Sequence, residues 1–312
     1  MPSPEDTMID PTRTLGSLPP EQAAELERAG PVWGTDINRF RDLVVKLYSP
    51  LVAAAPKDGI AVARDLPYGD SARQVLDVFT PDGARDADVV VFVHGGAFIR
   101  GSKSSNGHIY DNVSYWFARQ GMVAVNMEYR LAGEAPFPGG ADDVAAAVSW
   151  LAGHVSAYGG NPRRMFLIGH SAGGTHVATY CFDPRRGYRP DPGVLGAVLV
   201  SARLQADTLP GNPNARAVEA YFGTDPARHE TDSPMAYAAE SDLPVMIAIA
   251  QYENPYLDLY GLEFCQRVAR ARGYVPRFVQ MMRHNHTSIV AHFDSGEETL
   301  GREILDFFRS IA

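Results

Sequence analysis

Apolar runs and stretches of helical periodicity alternate along the chain after residue 70. Residues 89–93 are apolar at every position, as in a central strand covered on both faces, whereas 74–79 alternate apolar and polar side chains. Strands are predicted at 74–79, 89–93, 122–126, 165–168, 194–201, 243–250 and 275–282. Helices are predicted at 106–120, 256–272 and 297–311, and from Asp142 or Asp143 to about Gly159. This alternation predicts an α/β fold with a mainly parallel central sheet and helices on both faces.

Residues 1–60 lack this alternation and are predicted to form a separate N-terminal part. Residues 1–16 are polar and contain prolines, which favours an arm or loose packing. Two helices follow, and neither has a place in a sheet. They pack against one sheet edge or cap a site, and the pattern leaves both interpretations open. Residues 61–312 are predicted to form the main α/β domain.

The two N-terminal helices carry clear start and stop signals. The first covers 19–29 and ends at Gly30 and Pro31, and the second is capped by Asp36 and ended by Pro50. Apolar side chains recur on one face of the second helix at helical spacing: Ile37, Phe40, Val44, Leu47 and Tyr48.

Residues 204–240 interrupt the alternation of strands and helices. The stretch is polar and rich in proline, and only 215–222 has a weak helical pattern. An excursion of this length ahead of a core strand is typical of a lid or a pocket wall.

Composition and charge argue against several classes of function. The chain has 312 residues, 45% of them apolar, and a formal net charge of −9, which disfavours nucleic-acid binding. Its two cysteines, Cys181 and Cys265, are too few for a disulfide framework and are predicted to be reduced structural thiols. No signal-peptide pattern is evident and no apolar run approaches the ~20 residues that cross a bilayer, so a cytoplasmic location without membrane association is predicted. A homo-oligomer is left open.

The five residues Gly169 to Gly173 read Gly-His-Ser-Ala-Gly and lie between a predicted strand and a predicted helix. A serine on so tight a turn needs small neighbours, and the flanking glycines supply them. Ser171 is therefore the candidate nucleophile. The N–H of Ala172, at a helix N-terminus, faces a developing negative charge.

Two glycines directly after the buried strand 89–93 predict the remaining oxyanion donors. In His94-Gly95-Gly96 the adjacent glycines allow a turn whose N–H groups point into a cleft. Gly95 and Gly96 are predicted as donors beside Ala172, and His94 is predicted to brace the loop.

A general base is expected from a histidine late in the chain, and an acid from the loop after strand 243–250. His286 is preferred over His284 and His292 because it lies farther from the strand end than His284. The candidate acids are Glu253, just after the strand, and Asp258, inside the next helix. Glu253 is preferred. The His284-x-His286 pair has no third ligand at a suitable spacing, so no metal is predicted.

These motifs resemble those of the α/β-hydrolases, in the branch of hormone-sensitive-lipase-like and related bacterial carboxylesterases. The resemblance covers about residues 70–312 and rests on three matches: 94–98, 169–174 and the late His286. It implies the α/β-hydrolase fold, serine hydrolysis and the order Ser, acid, His.

Three positions depart from the pattern of that family. Ala97 stands where a third glycine is frequent, and His170 stands where aspartate often precedes the serine. The stretch from His170 to Gly173 is closer to the kynurenine-formamidase-like esterases. The family acid is commonly aspartate followed by proline, whereas the proline here follows Asn254, so Glu253 carries the role.

The predicted function is hydrolysis of carboxylic esters of small or medium size through an acyl-enzyme, with no cofactor. The alternatives are an amidase or arylformamidase with the same residues, and a non-catalytic receptor of the same fold. The predicted partner is a small-molecule ester or amide. Phe98 and Tyr252 are predicted to line its pocket.

Overall fold

The computed structural model describes residues 14–188 and 191–312. The predicted arm at 1–16 lies almost wholly outside these ranges. An eight-stranded sheet runs through the described structure, in the order β1-β2-β4-β3-β5-β6-β7-β8. The strands are β1 (Ile60–Pro67), β2 (Val75–Pro81), β3 (Ala87–Val93), β4 (Val123–Met127), β5 (Gly160–His170), β6 (Val194–Val200), β7 (Val245–Tyr252) and β8 (Arg277–Asn285).

Helices connect these strands and cover both faces of the sheet. They are α1 (Pro20–Ala29), α2 (Ile37–Ala54), α3 (Asp111–Arg119), α4 (Gly139–His154), α5 (Ala172–Phe182), α6 (Ala215–Phe222), α7 (Pro226–Asp232), α8 (Leu257–Arg272), α9 (Ser288–Ala291) and α10 (Thr299–Ile311). Short 3-10 helices lie at Gly30–Thr35, Val155–Tyr158, Pro184–Arg186 and Pro234–Tyr237.

The sheet is parallel from β4 through β8, while β1 and β2 are antiparallel to their neighbours. Alternate residues of the central strands enter two buried apolar clusters, one on each face. Val91 of β3 belongs to one cluster and Val90 to the other. The predicted α/β fold is confirmed, and the carboxyl ends of the parallel strands share one edge, where sites form in such sheets.

Strand β1 was not expected from the pattern of residues. Charged side chains at Arg64 and Asp65 break its alternation, and the pairing with β2 shifts register between Ala63 and Leu66. Arg64 pairs with the buried Asp77 of β2 at 2.7 Å, so its charge is compensated across the two strands.

Helix boundaries differ from the prediction in three places. Helix α2 runs through Pro50 to Ala54, because Val52 beyond it is buried. Helix α3 begins at Asp111, since a turn occupies the residues before it. Helix α4 begins at Gly139, so neither Asp142 nor Asp143 is its cap.

The segment from residue 14 to α2 forms its own small core against the rest of the molecule. Asp36 accepts a hydrogen bond from the backbone N–H of Arg39 and caps α2, as predicted. The backbone N–H of Leu15 donates to Glu297 Oε2 at 3.0 Å. Trp33 is fully buried, and its Nε1 donates to Asn254 Oδ1 at 2.8 Å. The segment is thus anchored to parts of the chain that are remote in sequence.

The stretch 204–240 contains α6 at the predicted residues and also α7, which was not predicted. Side chains of α6, among them Val218 and Tyr221, pack into a buried cluster with Phe98 and Ala172. None of the helices within the described ranges is both long enough and apolar enough to span a bilayer.

Candidate active site

Ser171 sits on a strained turn between β5 and α5. Its backbone φ is 55° and ψ is −117°, a region that non-glycine residues seldom adopt. A Cβ at Gly173 would lie 2.2 Å from the carbonyl oxygen of Val93, so only glycine fits beneath the turn. The turn lifts the serine side chain above the strand ends, with the first residue of α5 directly after it.

His286 follows the last residue of β8 and reaches Ser171. Its Nε2 lies 3.1 Å from Ser171 Oγ, and its Nδ1 lies 2.7 Å from Glu253 Oε2. A carboxylate only accepts hydrogen bonds, so Nδ1 carries the proton and Nε2 is free to accept the proton of the serine. The backbone N–H of His286 donates to the carbonyl of Tyr252 at 3.0 Å, which fixes the loop next to β7.

Glu253 lies just beyond β7 with a buried side chain. Its second oxygen, Oε1, accepts from the backbone N–H of Ala250 at 2.8 Å and from the hydroxyl of Ser201. Asp258 instead lies in the first turn of α8, where it accepts from the N–H of Leu259 at 2.9 Å. The structure therefore brings Glu253 to the histidine and does not bring Asp258 there.

The loop of His94, Gly95 and Gly96 lies against the serine turn. A Cβ at Gly95 would approach the Cβ of Ser171 to 3.1 Å and His170 Nδ1 to 2.9 Å. Gly96 has φ of 151°, and a Cβ there would lie 1.8 Å from the carbonyl oxygen of Arg100. The backbone of this loop can approach the nucleophile closely because both positions lack side chains.

Glu128 braces the same loop from below. Its carboxylate bonds His94 Nε2 at 2.7 Å, accepts from the backbone N–H of Lys103 at 3.0 Å and pairs with Arg73. Burial alone would raise the pKa of Glu128, but the hydrogen bond from His94 and the neighbouring charges hold this pKa below its ordinary value. The predicted bracing role of His94 agrees with this geometry.

His170 is a neutral neighbour of the site. Burial, and then the nearby His286, lower the pKa of His170 well below 6.5. Its Nε2 lies 2.9 Å from the carbonyl oxygen of His286 and donates to it. This bond holds the backbone that carries the candidate base.

A cavity of about 380 Å³ opens above Ser171 and His286. Helix α2 and the stretch 204–240 both contribute to its wall. Its lining side chains and backbone include Ile37, Arg41, Asp42 and Val45 of α2, Gly95, Gly96, Arg100, Tyr110, Asn214 and Asn254.

Neither Phe98 nor Tyr252 lines this cavity. Phe98 is buried and stacks on Tyr221 with ring centroids 4.6 Å apart. The ring of Tyr252 occupies the space where a Cβ of Gly30 would be, so it packs under the N-terminal segment. Their predicted role in substrate binding stays a prediction, because an aromatic position in sequence does not say which side of a loop it faces.

The other late histidines have structural partners. His284 lies in β8, where its Nε2 is 2.9 Å from Glu297 Oε1 and its Nδ1 is 3.0 Å from Ser288 Oγ.

Within residues 14–188 and 191–312, no group of three or more histidine, cysteine or acidic side chains is arranged to hold a metal ion. Cys181 and Cys265 are both free and buried.

Sequence reasoning missed four side chains of this region: Arg41, Arg100, Glu128 and Ser201. Glu128 had a detectable signal, since it directly follows β4 at the same sheet edge as the glycine loop. Arg41 lies on a helix outside the sheet, and nothing in its local pattern indicates the cavity.

Comparisons with known proteins agree with this architecture. The BD-FAE family model matches residues 76–181. Esterase LipI of Mycobacterium tuberculosis is 30% identical over 232 residues, which cover 69% of each chain. Bile salt-activated lipase of Homo sapiens is 31% identical over 140 residues, and the match spans 39% of this chain but only 18% of the lipase.

Among solved structures, a bacterial heroin esterase superposes with a TM-score of 0.69, covering 95% of this chain and 98% of that one at 24% identity. A serine turn between strand and helix, on an eight-stranded and mostly parallel sheet, defines an α/β-hydrolase. Within that class, the chain belongs to the esterase family of LipI, in agreement with the resemblance seen in its motifs.

Proposed function

We propose that the protein hydrolyses carboxylic esters through a covalent acyl-enzyme on Ser171. The observation that carries the proposal is the unbroken chain of hydrogen bonds from Ser171 Oγ through His286 to Glu253, at 3.1 and 2.7 Å. The family supports it as well, since LipI is an esterase by name. The amide-cleaving alternative has no observation in its favour.

In the proposed reaction His286 Nε2 takes the proton of Ser171 as Oγ attacks the ester carbonyl carbon. The resulting oxyanion accepts hydrogen bonds from the backbone N–H groups of Gly95, Gly96 and Ala172. His286 then returns the proton to the departing alcohol oxygen, which leaves the acyl group on the serine. Water, deprotonated by the same nitrogen, attacks the acyl carbon and frees Ser171.

Glu253 acts in this scheme by holding one tautomer of His286 and stabilising its cation. The hydroxyl of Ser201 and the N–H of Ala250 hold the opposite oxygen of Glu253. These bonds fix the longer glutamate side chain in a role that aspartate fills in many relatives of the fold. No cofactor takes part in these steps.

The size of the cavity supports a substrate of small or medium size. Helix α2 is proposed to act as a cap, since Ile37, Arg41 and Val45 line the cavity from the side opposite the sheet. Asn214 lines the same cavity and belongs to 204–240, the proposed pocket wall. The cytoplasmic location and the homo-oligomer stay predictions of the sequence.

The test uses 4-nitrophenyl butyrate and a fluorophosphonate probe on the purified chain. Ser171→Ala is expected to lower kcat/KM by more than about 10⁴-fold and to abolish labelling, because nucleophile and acyl carrier are lost together. Ser310→Ala, at an exposed serine of α10, is the control and should leave both unchanged. Turnover that survives in Ser171→Ala would overturn the proposal.

A further inference from the structure

Three charged side chains line the cavity: Arg41, Asp42 and Arg100. Two of them neutralise each other, since Nη2 and Nε of Arg41 lie 2.9 and 3.2 Å from Asp42 Oδ1. Arg41 also donates to Asn38 at 3.2 Å. The guanidinium of Arg100 has no hydrogen bond or ion pair to any residue in the described part of the chain.

The backbone that carries Arg100 is fixed against the candidate oxyanion loop. Its N–H donates to the carbonyl of Gly96 at 3.1 Å, and its own carbonyl occupies the space beside Gly96 that a Cβ would need. The side chain therefore projects from a point that is fixed relative to Ser171, while it remains exposed to solvent at its end. A cation carried by such a fixed backbone can bind a ligand with little rearrangement.

Arg100 is an exposed residue whose charge no carboxylate of the described residues compensates directly. Partial burial, and then the charge of Arg41, lower the pKa of Arg100 from its ordinary value. Elsewhere near the sheet edge, arginines meet carboxylates: Arg73 pairs with Glu128, and Arg130 with Asp143. An anion beside Arg100 would supply the partner that these other arginines already have.

The cavity thus carries a surplus of one positive charge, two arginines against one aspartate, in a chain whose formal net charge is −9. His170, which also lines it, is held neutral by its lowered pKa and adds no charge at pH 7. The carboxylate of Glu253 lies behind His286, 2.7 Å from its Nδ1, so the unpaired charge that a ligand meets directly is the cation of Arg100, which favours an anionic ligand over a neutral one.

We propose that the natural substrate is an ester that also carries a carboxylate, and that Arg100 binds this carboxylate. The inference rests on the proposed ester hydrolysis at Ser171 and adds the class of substrate. A guanidinium matches a carboxylate in a planar, two-bonded geometry, which orients the substrate as well as attracting it.

The experiment compares anionic esters with neutral esters of the same shape. On the acyl side the pair is 4-nitrophenyl adipate and 4-nitrophenyl adipamate, in which a terminal amide replaces the carboxylate. On the alcohol side the pair is 4-acetoxybenzoate and 4-acetoxybenzamide. In at least one pair the native protein is expected to cleave the anionic ester with a kcat/KM about tenfold higher. A ratio near one in both pairs would overturn the inference.

Variants then assign the preference to Arg100. In Arg100→Gln the ratio of anionic to neutral substrate should fall to about one, and Arg100→Lys, which keeps the charge but not the two-bonded geometry, should keep only part of the preference. Arg28→Gln removes the same charge from an exposed position on α1 and should keep the native ratio. A tenfold preference that persists in Arg100→Gln would show that the charge is recognised elsewhere, which also contradicts the inference.

The two proposals can fail separately. Cleavage of 4-nitrophenyl butyrate by the native protein, lost in Ser171→Ala, tests ester hydrolysis without any charge on the substrate. If that cleavage is present and both charge ratios are near one, only the substrate class is wrong. If no ester is cleaved at all, the proposed function itself falls.

Discussion

The two halves of the candidate site are built in different ways. The nucleophile half consists of the turn at Ser171 and the loop of Gly95 and Gly96, and it depends on close backbone approach where side chains are missing. The acid–base half consists of Glu253 and His286 on the loops after β7 and β8, and it depends on hydrogen bonds between side chains.

The two halves are therefore sensitive to different kinds of substitution. A methyl group added at Gly96 or Gly173 collides with backbone carbonyl oxygens, which cannot move without shifting the chain. Removing a hydrogen-bonding oxygen or nitrogen from the acid–base half leaves the fold in place, but the imidazole of His286 is then no longer held in position. The first kind of change is expected to act on folding, and the second on rate.

After the loss expected for Ser171→Ala, the largest effect is expected for Glu253→Gln, which keeps the shape of the side chain and removes its charge. Loss of the carboxylate should lower kcat by about 10³–10⁴-fold on 4-nitrophenyl butyrate, because the cation of His286 is no longer stabilised. The folded state should persist by circular dichroism. Asp258→Asn is the matched control and should retain nearly full activity, and an equal loss there would reassign the acid.

A second test adds one methyl group to the nucleophile half. In Gly173→Ala the new Cβ would lie 2.2 Å from Val93 O and 2.5 Å from His94 O. We expect the free energy of unfolding to fall by about 3 kcal/mol, together with loss of activity. Gly153→Ala in α4 meets no atom within 4 Å and should be neutral or stabilising by up to ~1 kcal/mol. Equal effects in denaturant titrations would refute the steric explanation.

A third test separates the acid–base half from the N-terminal segment docked on it. Trp33→Phe removes the indole N–H that bonds Asn254, the neighbour of Glu253, and leaves a buried oxygen unpaired. The expected loss in the free energy of unfolding is about 2 kcal/mol. Trp150→Phe, at a partly exposed tryptophan, should cost clearly less. If the two losses are equal, the hydrogen bond to Asn254 does not anchor the segment.

The change expected from one histidine over one pH unit is smaller still, and there is one buried histidine near each half. Burial lowers the pKa of His176, under the serine turn, to about 3, and that of His292, behind β8, to about 4. Both values lie below the unfolded value of about 6.5, so the unfolded chain binds more protons. Stability is therefore full above about pH 6.5 and falls as the pH drops toward the folded values.

Each of these histidines should contribute about 1.4 kcal/mol per pH unit within that window. His176→Gln and His292→Gln should each flatten the slope between pH 6 and pH 4 in chemical denaturation. The slope should continue to about pH 3 for the native His176, whereas the contribution of His292 should level off near pH 4. An unchanged slope in both variants would mean that neither histidine is neutral in the folded state.

Local sequence patterns predicted the parts of the fold that local physics determines. The apolar run of β3, the strand before Ser171 and the helix after it were all recognised because their periodicity is uninterrupted. Strand β1 was missed because its charges at Arg64 and Asp65 are compensated by residues that only the folded sheet brings near. Pro50 did not end α2, because burial of the following turn outweighs the lost hydrogen bond.

The three candidate catalytic residues could also be proposed from local sequence patterns. Ser171, His286 and Glu253 were placed by their positions after strand ends, and the structure brings all three within hydrogen-bond distance. The sequence left a cap by the N-terminal helices open and predicted a lid or pocket wall at 204–240. The individual lining side chains, such as Arg41, were not predictable, because α2 precedes the sheet in sequence and covers the cavity only in three dimensions. The positions of the aromatic candidates were not predictable for the same reason, since sequence does not record which side of a loop Phe98 faces.

The anchoring of the N-terminal segment also has a consequence for the order in which the protein assembles. Leu15 and Trp33 find their partners 282 and 221 residues later in the chain. At a synthesis rate of about 5–20 residues per second, Trp33 waits roughly 10–45 s for Asn254 to be made. The first of the described helices to be synthesised are thus among the last to dock. The wall of the cavity that contains Arg41 can therefore be completed only after most of the sheet has been synthesised.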